Sequence, residues 1–237
     1  MTSTGPPTRA VPPRLFYVRH GETAWSLSHR HTGVTDIPLT AHGEAQARAL
    51  KVWFDRLSLA HVWTSARLRA RATCDLAGCS DEAQIEPDLA EWDYGDYEGL
   101  RSVDIRETRP DWRIFRDGCP NGETPREITE RIDRVIARVR ALGQDVALFS
   151  HGQFGAAFAA RWIGLSVLEA QHLSLGPASI SVLSFDPDDP KVPVLALWNV
   201  APVYWNPGAV REIEGAAPAL FSREAPLGLR SPPLRVR

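Results

Sequence analysis

The chain has 237 residues, 43% hydrophobic and 24% charged, with a formal net charge of -2. That composition suits one soluble globular domain, and the lack of a basic excess excludes bulk binding to nucleic acid or an acidic membrane surface. No apolar run approaches the ~20 residues of a membrane span, and three cysteines (Cys74, Cys79, Cys119) offer neither metal-ligand spacing nor an even count for disulfides.

Residues 1–13 carry four prolines and no apolar signal-peptide core, so they are expected to form a flexible arm on a cytoplasmic protein. Leu15-Phe16-Tyr17-Val18 reads as a buried strand that ends in Arg19, His20 and Gly21. A short helix is expected within residues 22–30, followed by a polar loop through Pro38. Thr40 then caps a helix with apolar positions Ala45, Ala49, Val52, Trp53 and Leu57. His61 to Thr64 is a second short strand, and residues 66–76 form a helix stopped by Gly78.

Residues 88–122 are rich in Trp, Tyr, Gly, Asp and Arg with weak periodicity. The stretch is too long for an ordinary connection, so residues about 100–123 are expected to be a lid or specificity segment. Thr124-Pro125-Arg126-Glu127 is a capping box with Pro at the first helical position. Ile128, Ile132, Val135, Ile136, Val139 and Leu142 continue it as one helix face until Gly143. Val146 to Phe149 is another apolar strand, running into Ser150-His151-Gly152, and residues 154–163 form a buried helix. Strands over 180–185 and 192–198 follow, joined by a turn rich in Asp and Pro. Alternating strands and helices predict a three-layer α/β/α sandwich with a mostly parallel central sheet over residues 14–205, followed by a tail at 206–237.

Two apolar strands therefore end in His-Gly. In a mostly parallel sheet both histidines emerge on one carboxyl edge, where such folds bind ligands. An Arg and two imidazoles converging there repel one another unless an anion lies between them.

Arg19-His20-Gly21-Glu22-Thr23 resembles the signature of the histidine phosphatase superfamily, also called the phosphoglycerate mutase-like family. Further resemblances follow in the expected order: residues 32–40, Gly43-Glu44-Ala45-Gln46-Ala47, the stretch from Thr64 to Thr73, the stretch from Leu89 to Gly99, and Ser150-His151-Gly152. The stretch from Thr64 to Thr73 has Ala66 where the family usually has Pro, and the alignment puts Arg69 in the phosphate pocket.

Residue chemistry then suggests roles. His20 is the candidate nucleophile, giving a phosphohistidine. Arg19, Arg69 and His151 would hold the non-bridging phosphoryl oxygens, and the cations should depress the pKa of His20. Glu91 is the candidate acid–base group, with Asp93, Asp96 and Glu98 as neighbouring rivals. Ser26, Thr32 and Gly33 sit where relatives contact substrate, and Tyr94 follows the acid. No metal and no cofactor are expected.

The expected ligand is a small phosphorylated metabolite, hydrolysed as a phosphate monoester. Alternatives are a cofactor-dependent phosphoglycerate mutase and a non-enzymatic phospho-ligand or partner-binding module. The stretch from Trp112 to Thr124 resembles sedoheptulose-1,7-bisphosphatase-type sugar phosphatases. Those relatives carry an Arg soon after the second His for a distal phosphate, whereas here none occurs before Arg161. A monophosphate substrate, or a different use of Arg113 and Arg116, are both open.

Overall fold

A computed structural model describes residues 13–201. The expected tail at 206–237, and all of the expected arm except Pro13, lie outside the described residues.

In chain order the elements are β1 (Leu15–Arg19), α1 (Ala24–Leu27), α2 (Ala41–Ala49), α3 (Lys51–Phe54), β2 (His61–Thr64), α4 (Leu68–Leu76) and β3 (Ala83–Ile85). There follow α5 (Ser102–Thr108), α6 (Ile114–Asp117), α7 (Pro125–Leu142), β4 (Val146–Ser150), α8 (Gly152–Trp162), β5 (Ile180–Phe185) and β6 (Pro193–Val200). The six strands make one sheet in the order β3-β2-β4-β1-β5-β6. The first four are parallel, and β5 and β6 add an antiparallel edge.

Side chains alternate across a strand, and the sheet buries both faces. Leu15, Tyr17, Val146 and Leu148 point to the face covered by α7 and α8. Phe16, Val18, Ala147 and Phe149 point to the other, covered by α2, α3 and α4. This is the expected three-layer sandwich. The long helix α7 starts at a capping box between Thr124 and Glu127 and ends at Gly143 in the left-handed conformation (φ 60°).

Register positions the site. β1 pairs directly with β4, with Arg19 opposite Ser150. The next residues, His20 and His151, therefore leave the sheet side by side. The backbone of His20 is then pinned: its N–H donates to the Ser150 carbonyl (3.0 Å) and its carbonyl accepts from the Ala178 N–H (2.9 Å).

The loop after His20 packs backbone to backbone against α2. A Cβ on Gly43 would lie 2.1 Å from the Glu22 carbonyl oxygen, and one on Gly21 would lie 2.5 Å from the Gly43 oxygen. Gly43→Ala is expected to destabilise by about 3 kcal/mol, since backbone on both sides cannot yield as a side-chain tip does. Thermal denaturation should show a fall in Tm on the order of 5–10 °C; an unchanged Tm would mean that the loop is free to move away.

The segment between Glu91 and α7 is packed. Trp92, Tyr94, Ile105, Trp112, Ile114 and Phe115 are buried in the same core as α7 and α8. Trp92 donates its indole N–H to the Glu123 carbonyl, and Trp112 donates its own to that of Gly118 (both 2.9 Å). Among the described residues, no helix is long and apolar enough to cross a membrane.

Candidate active site

A cleft of about 330 Å³ opens at the carboxyl edge of the sheet. Arg19, His20, Glu91 and Gly152 lie among its lining residues, as do Ser26, Thr32 and Tyr94.

His20 is 5% exposed. Its Nδ1 lies 2.7 Å from the Gly21 carbonyl oxygen. A carbonyl only accepts, so the proton sits on Nδ1 and the lone pair of the neutral ring is on Nε2. Burial pushes its pKa well below 6.5, with the Arg69 and Arg19 charges acting in the same direction and the Gly21 bond opposing them. Cations alone were the expected cause, but desolvation comes first.

His151 is fully buried, and its ring centre lies 5.3 Å from that of His20. Its Nε2 is 2.8 Å from Ser65 Oγ, which also accepts from the Arg67 N–H (3.3 Å). With the serine hydroxyl donating to Nε2, the ring proton lies on Nδ1, which is buried and makes no hydrogen bond within the described protein. Burial lowers this pKa too, followed by the charges of Arg69, His20, Arg131 and Arg19. Tyr17 fixes the backbone of His151 by donating its hydroxyl to the carbonyl (2.8 Å) and accepting from the N–H (3.2 Å).

Arg69 is completely buried behind the cleft surface. Its terminal nitrogens donate to the carbonyls of Thr32 (2.8 Å), Thr35 (3.0 Å) and Gly33 (3.1 Å). Thr73, one turn along α4, donates to the Arg69 carbonyl (2.7 Å) and accepts from the Gly21 N–H (3.0 Å), which ties α4 to the loop after His20. Arg19 donates through Nη1 to the Leu175 carbonyl. The Nε–H groups of both arginines are buried and have no partner among the described residues. Buried N–H groups call for an acceptor. Both arginines act electrostatically on His20, and the His151 ring lies beside it, so the unpartnered donors belong to residues gathered near a neutral imidazole, a set suited to an oxyanion.

Glu91 sits at the start of α8. Oε1 accepts from the N–H groups of Phe154 (2.7 Å) and Trp92 (2.9 Å), and Oε2 accepts from that of Gln153 (3.0 Å). Two bonds fill the lone pairs of Oε1, whereas Oε2 keeps one free for a proton. Arg131 on α7 holds the loop from behind through the carbonyls of Asp88 (2.8 Å), Ala90 (2.7 Å) and Glu91 (3.3 Å).

The rival carboxylates are engaged elsewhere. Asp93 accepts from the Gly95 N–H, Asp96 from Asn121, and Glu98 from the N–H groups of Gly33 and Thr35. Among the described residues, Glu91 is the one acidic side chain lining the cleft.

The secondary positions divide. Ser26 Oγ is committed to the Thr23 cap, accepting from its N–H (2.8 Å) and donating to its carbonyl (3.0 Å). Thr32 donates its hydroxyl to the Arg30 carbonyl (3.2 Å). Tyr94 stacks on His31 at 4.5 Å. Gly33 does not line the cleft: its N–H and carbonyl are held by Glu98 and Arg69, and a Cβ there would meet the Trp92 carbonyl at 2.4 Å.

Sequence reasoning did not single out His29, Arg30, Ser102, Gln153 or Ser174, all of which line the cleft. Arg113 and Arg116, by contrast, do not reach it. Arg113 donates to Gln171 (2.9 Å), and Arg116 to Asp117 (2.9 Å) and the Asp111 carbonyl.

The chain is 39% identical over 188 residues to an acid phosphatase of Mycobacterium tuberculosis, a match covering 78% of this chain and 92% of the relative. It is also 39% identical over 190 residues to the sedoheptulose 1,7-bisphosphatase of Saccharomyces cerevisiae, covering 67% of this chain and 70% of that enzyme. A solved open-reading-frame product from Mycobacterium tuberculosis superposes with a TM-score of 0.76 at 38% identity, covering 80% of this chain and 98% of its own. Residues 15–200 match the family described as the histidine phosphatase superfamily (branch 1), to which this chain belongs.

Proposed function

We propose that this protein is a phosphoric monoester hydrolase that cleaves a small sugar phosphate or sugar bisphosphate through a phosphohistidine on His20. The observation that carries the reading is that Arg19 Nε, Arg69 Nε and His151 Nδ1 are buried without partners among the described residues, on three residues that act on or lie beside a neutral His20 imidazole. The relatives named as an acid phosphatase and a sugar bisphosphatase support hydrolysis of such an ester. A reducing, cytoplasmic setting is part of the same reading and is consistent with three free, buried cysteines.

In the first half-reaction His20 Nε2 attacks phosphorus. The Nε2–P bond forms, the bond from phosphorus to the ester oxygen breaks, and Glu91 gives its Oε2 proton to the departing alkoxide. Charge spread over the three non-bridging oxygens falls on donors already in place, so little reorganisation is needed. In the second half, Glu91 takes a proton from water while the water oxygen attacks phosphorus. The N–P bond then breaks, releasing phosphate and neutral His20. Arg19 and Arg69 supply the charge neutralisation for which other phosphatases use a metal.

The test is phosphate release in EDTA from a panel of sugar phosphates and an aryl phosphate, run beside phosphoglycerate interconversion primed with 2,3-bisphosphoglycerate. Metal-independent release with little interconversion supports the proposal; efficient interconversion would make the protein a mutase. Within the same panel, Glu91→Gln is expected to cost on the order of 10²–10³ in kcat/KM, which reports the first half-reaction, on alkyl esters and about tenfold or less on the aryl ester, whose leaving group needs no proton. Equal losses would reduce Glu91 to a positioning role.

A further inference from the structure

The cleft continues beyond the phosphoryl-binding groups to a second cationic wall. We infer that Arg30 forms a distal subsite for a second oxyanion on the substrate, a phosphate or a carboxylate. This rests on the phosphatase reading above and adds the charge class of the ester.

Arg30 lines the cleft together with His29, Ser102, Gln153 and Ser174. Its backbone is fixed while its head group is not. The Arg30 N–H donates to the Trp25 carbonyl (2.9 Å), the residue pairs across a β-bridge with Arg101, and the next N–H, of His31, donates to the Leu100 carbonyl (2.8 Å). His29 beside it holds a left-handed backbone (φ 58°), which a non-glycine residue keeps only when its surroundings enforce it.

The Arg30 guanidinium makes no hydrogen bond and no ion pair among the described residues. The carboxylate that feels its charge, Asp104, is already bonded by Arg101, with Nε 2.9 and 3.1 Å from its two oxygens. Across the lining residues, two guanidiniums, Arg19 and Arg30, stand against a single carboxylate, Glu91, which already accepts three backbone N–H bonds. A monoester bound at His20 uses Arg19 and leaves the exposed Arg30 guanidinium to solvent. A substrate with an oxyanion at its other end satisfies both. A guanidinium is suited to this role because its fork matches phosphate or carboxylate in two parallel bonds. The Gln153 amide and the Ser174 hydroxyl lie along the same cleft as neutral partners for the substrate's hydroxyls.

Two matched pairs test this: fructose 1,6-bisphosphate against fructose 1-phosphate, and 3-phosphoglycerate against glycerol 3-phosphate. In each, only the first member carries the second oxyanion. Arg30→Gln is expected to lower the preference for the doubly anionic member, the ratio of the two kcat/KM values, about tenfold, with Arg30→Lys restoring part of it. The pair that responds tells a distal phosphate from a distal carboxylate. Calorimetric binding of the same pairs to His20→Ala, with and without Arg30→Gln, reads the subsite without turnover. An unchanged ratio in both pairs, in turnover and in binding, overturns the subsite and leaves the phosphatase reading standing. Arg30-dependent binding without His20-dependent hydrolysis of any ester supports the subsite and overturns the phosphatase reading.

Discussion

His20→Ala is expected to lower phosphate release by roughly four orders of magnitude or more, the scale on which removing a covalent nucleophile acts. No neighbour can take over. The His151 ring nitrogen nearer Ser65 is engaged with that hydroxyl, and the arginines carry no lone pair to offer. The variant retains Arg19, Arg69 and His151, so it should still bind phosphate esters, and circular dichroism should show an intact fold. A second readout identifies the intermediate. With labelled substrate and rapid quenching, wild type should hold the label in alkali and lose it in acid, as phosphohistidine does. His20→Ala should hold none in either. Label on the variant at wild-type level, or turnover within tenfold of wild type, would move the nucleophile elsewhere.

Acid is expected to destabilise the protein from about pH 6.5 downward, before its carboxylates begin to titrate. His20, His31 and His151 all have pKa values below 6.5 in the folded state. For His31 the cause is burial, aided by Arg106 and opposed by Glu98, and the value falls to about 4. In the unfolded chain each imidazole takes a proton near pH 6.5. Between the folded and unfolded values the unfolded state therefore binds more protons, and stability falls as pH falls. His31 alone accounts for about 3 kcal/mol between pH 6.5 and 4, and the other two act with the same sign. By about pH 8 all three are essentially neutral in both states and contribute almost no slope. Urea denaturation at intervals from pH 8 to 5 should show a plateau and then a steep decline. A flat profile down to pH 5 would mean that these rings are hydrated and protonate freely in the fold.

The parts of the structure legible from sequence are those where one physical signal acts alone. β1 and β4 are continuous apolar runs ended by polar residues, and α7 has an apolar stripe, a cap and a terminal glycine. The histidine pair was legible because two parallel neighbours deliver their next residues to the same place. β3 was missed because Ala83–Ile85 is three residues long and shows no alternation. Helices α5 and α6 have seven and four residues, too few for a period to emerge. Their aromatic neighbours Trp92, Tyr94 and Trp112 fill the core from loops, without helical spacing. Glu91 could not be separated from Asp93, Asp96 and Glu98 by residue type. The structure separates them by which backbone N–H groups each carboxylate has already engaged. His29 and Arg30 lie in a polar loop whose composition says nothing about which way it faces.

Glu91 is joined to α8, the helix that His151 begins, and two of its three N–H partners belong to that helix. The proposed proton donor and one of the proposed phosphoryl-binding groups are therefore tied to the same helix at the sheet edge. The outer wall of the cleft is made of other material: the loop carrying His29 and Arg30, Ser102 from α5, and residues 173–175. Changes at His29, Arg30, Ser102 or Ser174 would alter which ester enters without touching His20 or Glu91, whereas Leu175 in the same wall also holds Arg19 through its carbonyl. A lineage built this way can exchange one metabolite for another in small steps, each intermediate retaining full catalytic machinery. Drift in substrate range and loss of catalytic power become separate evolutionary events.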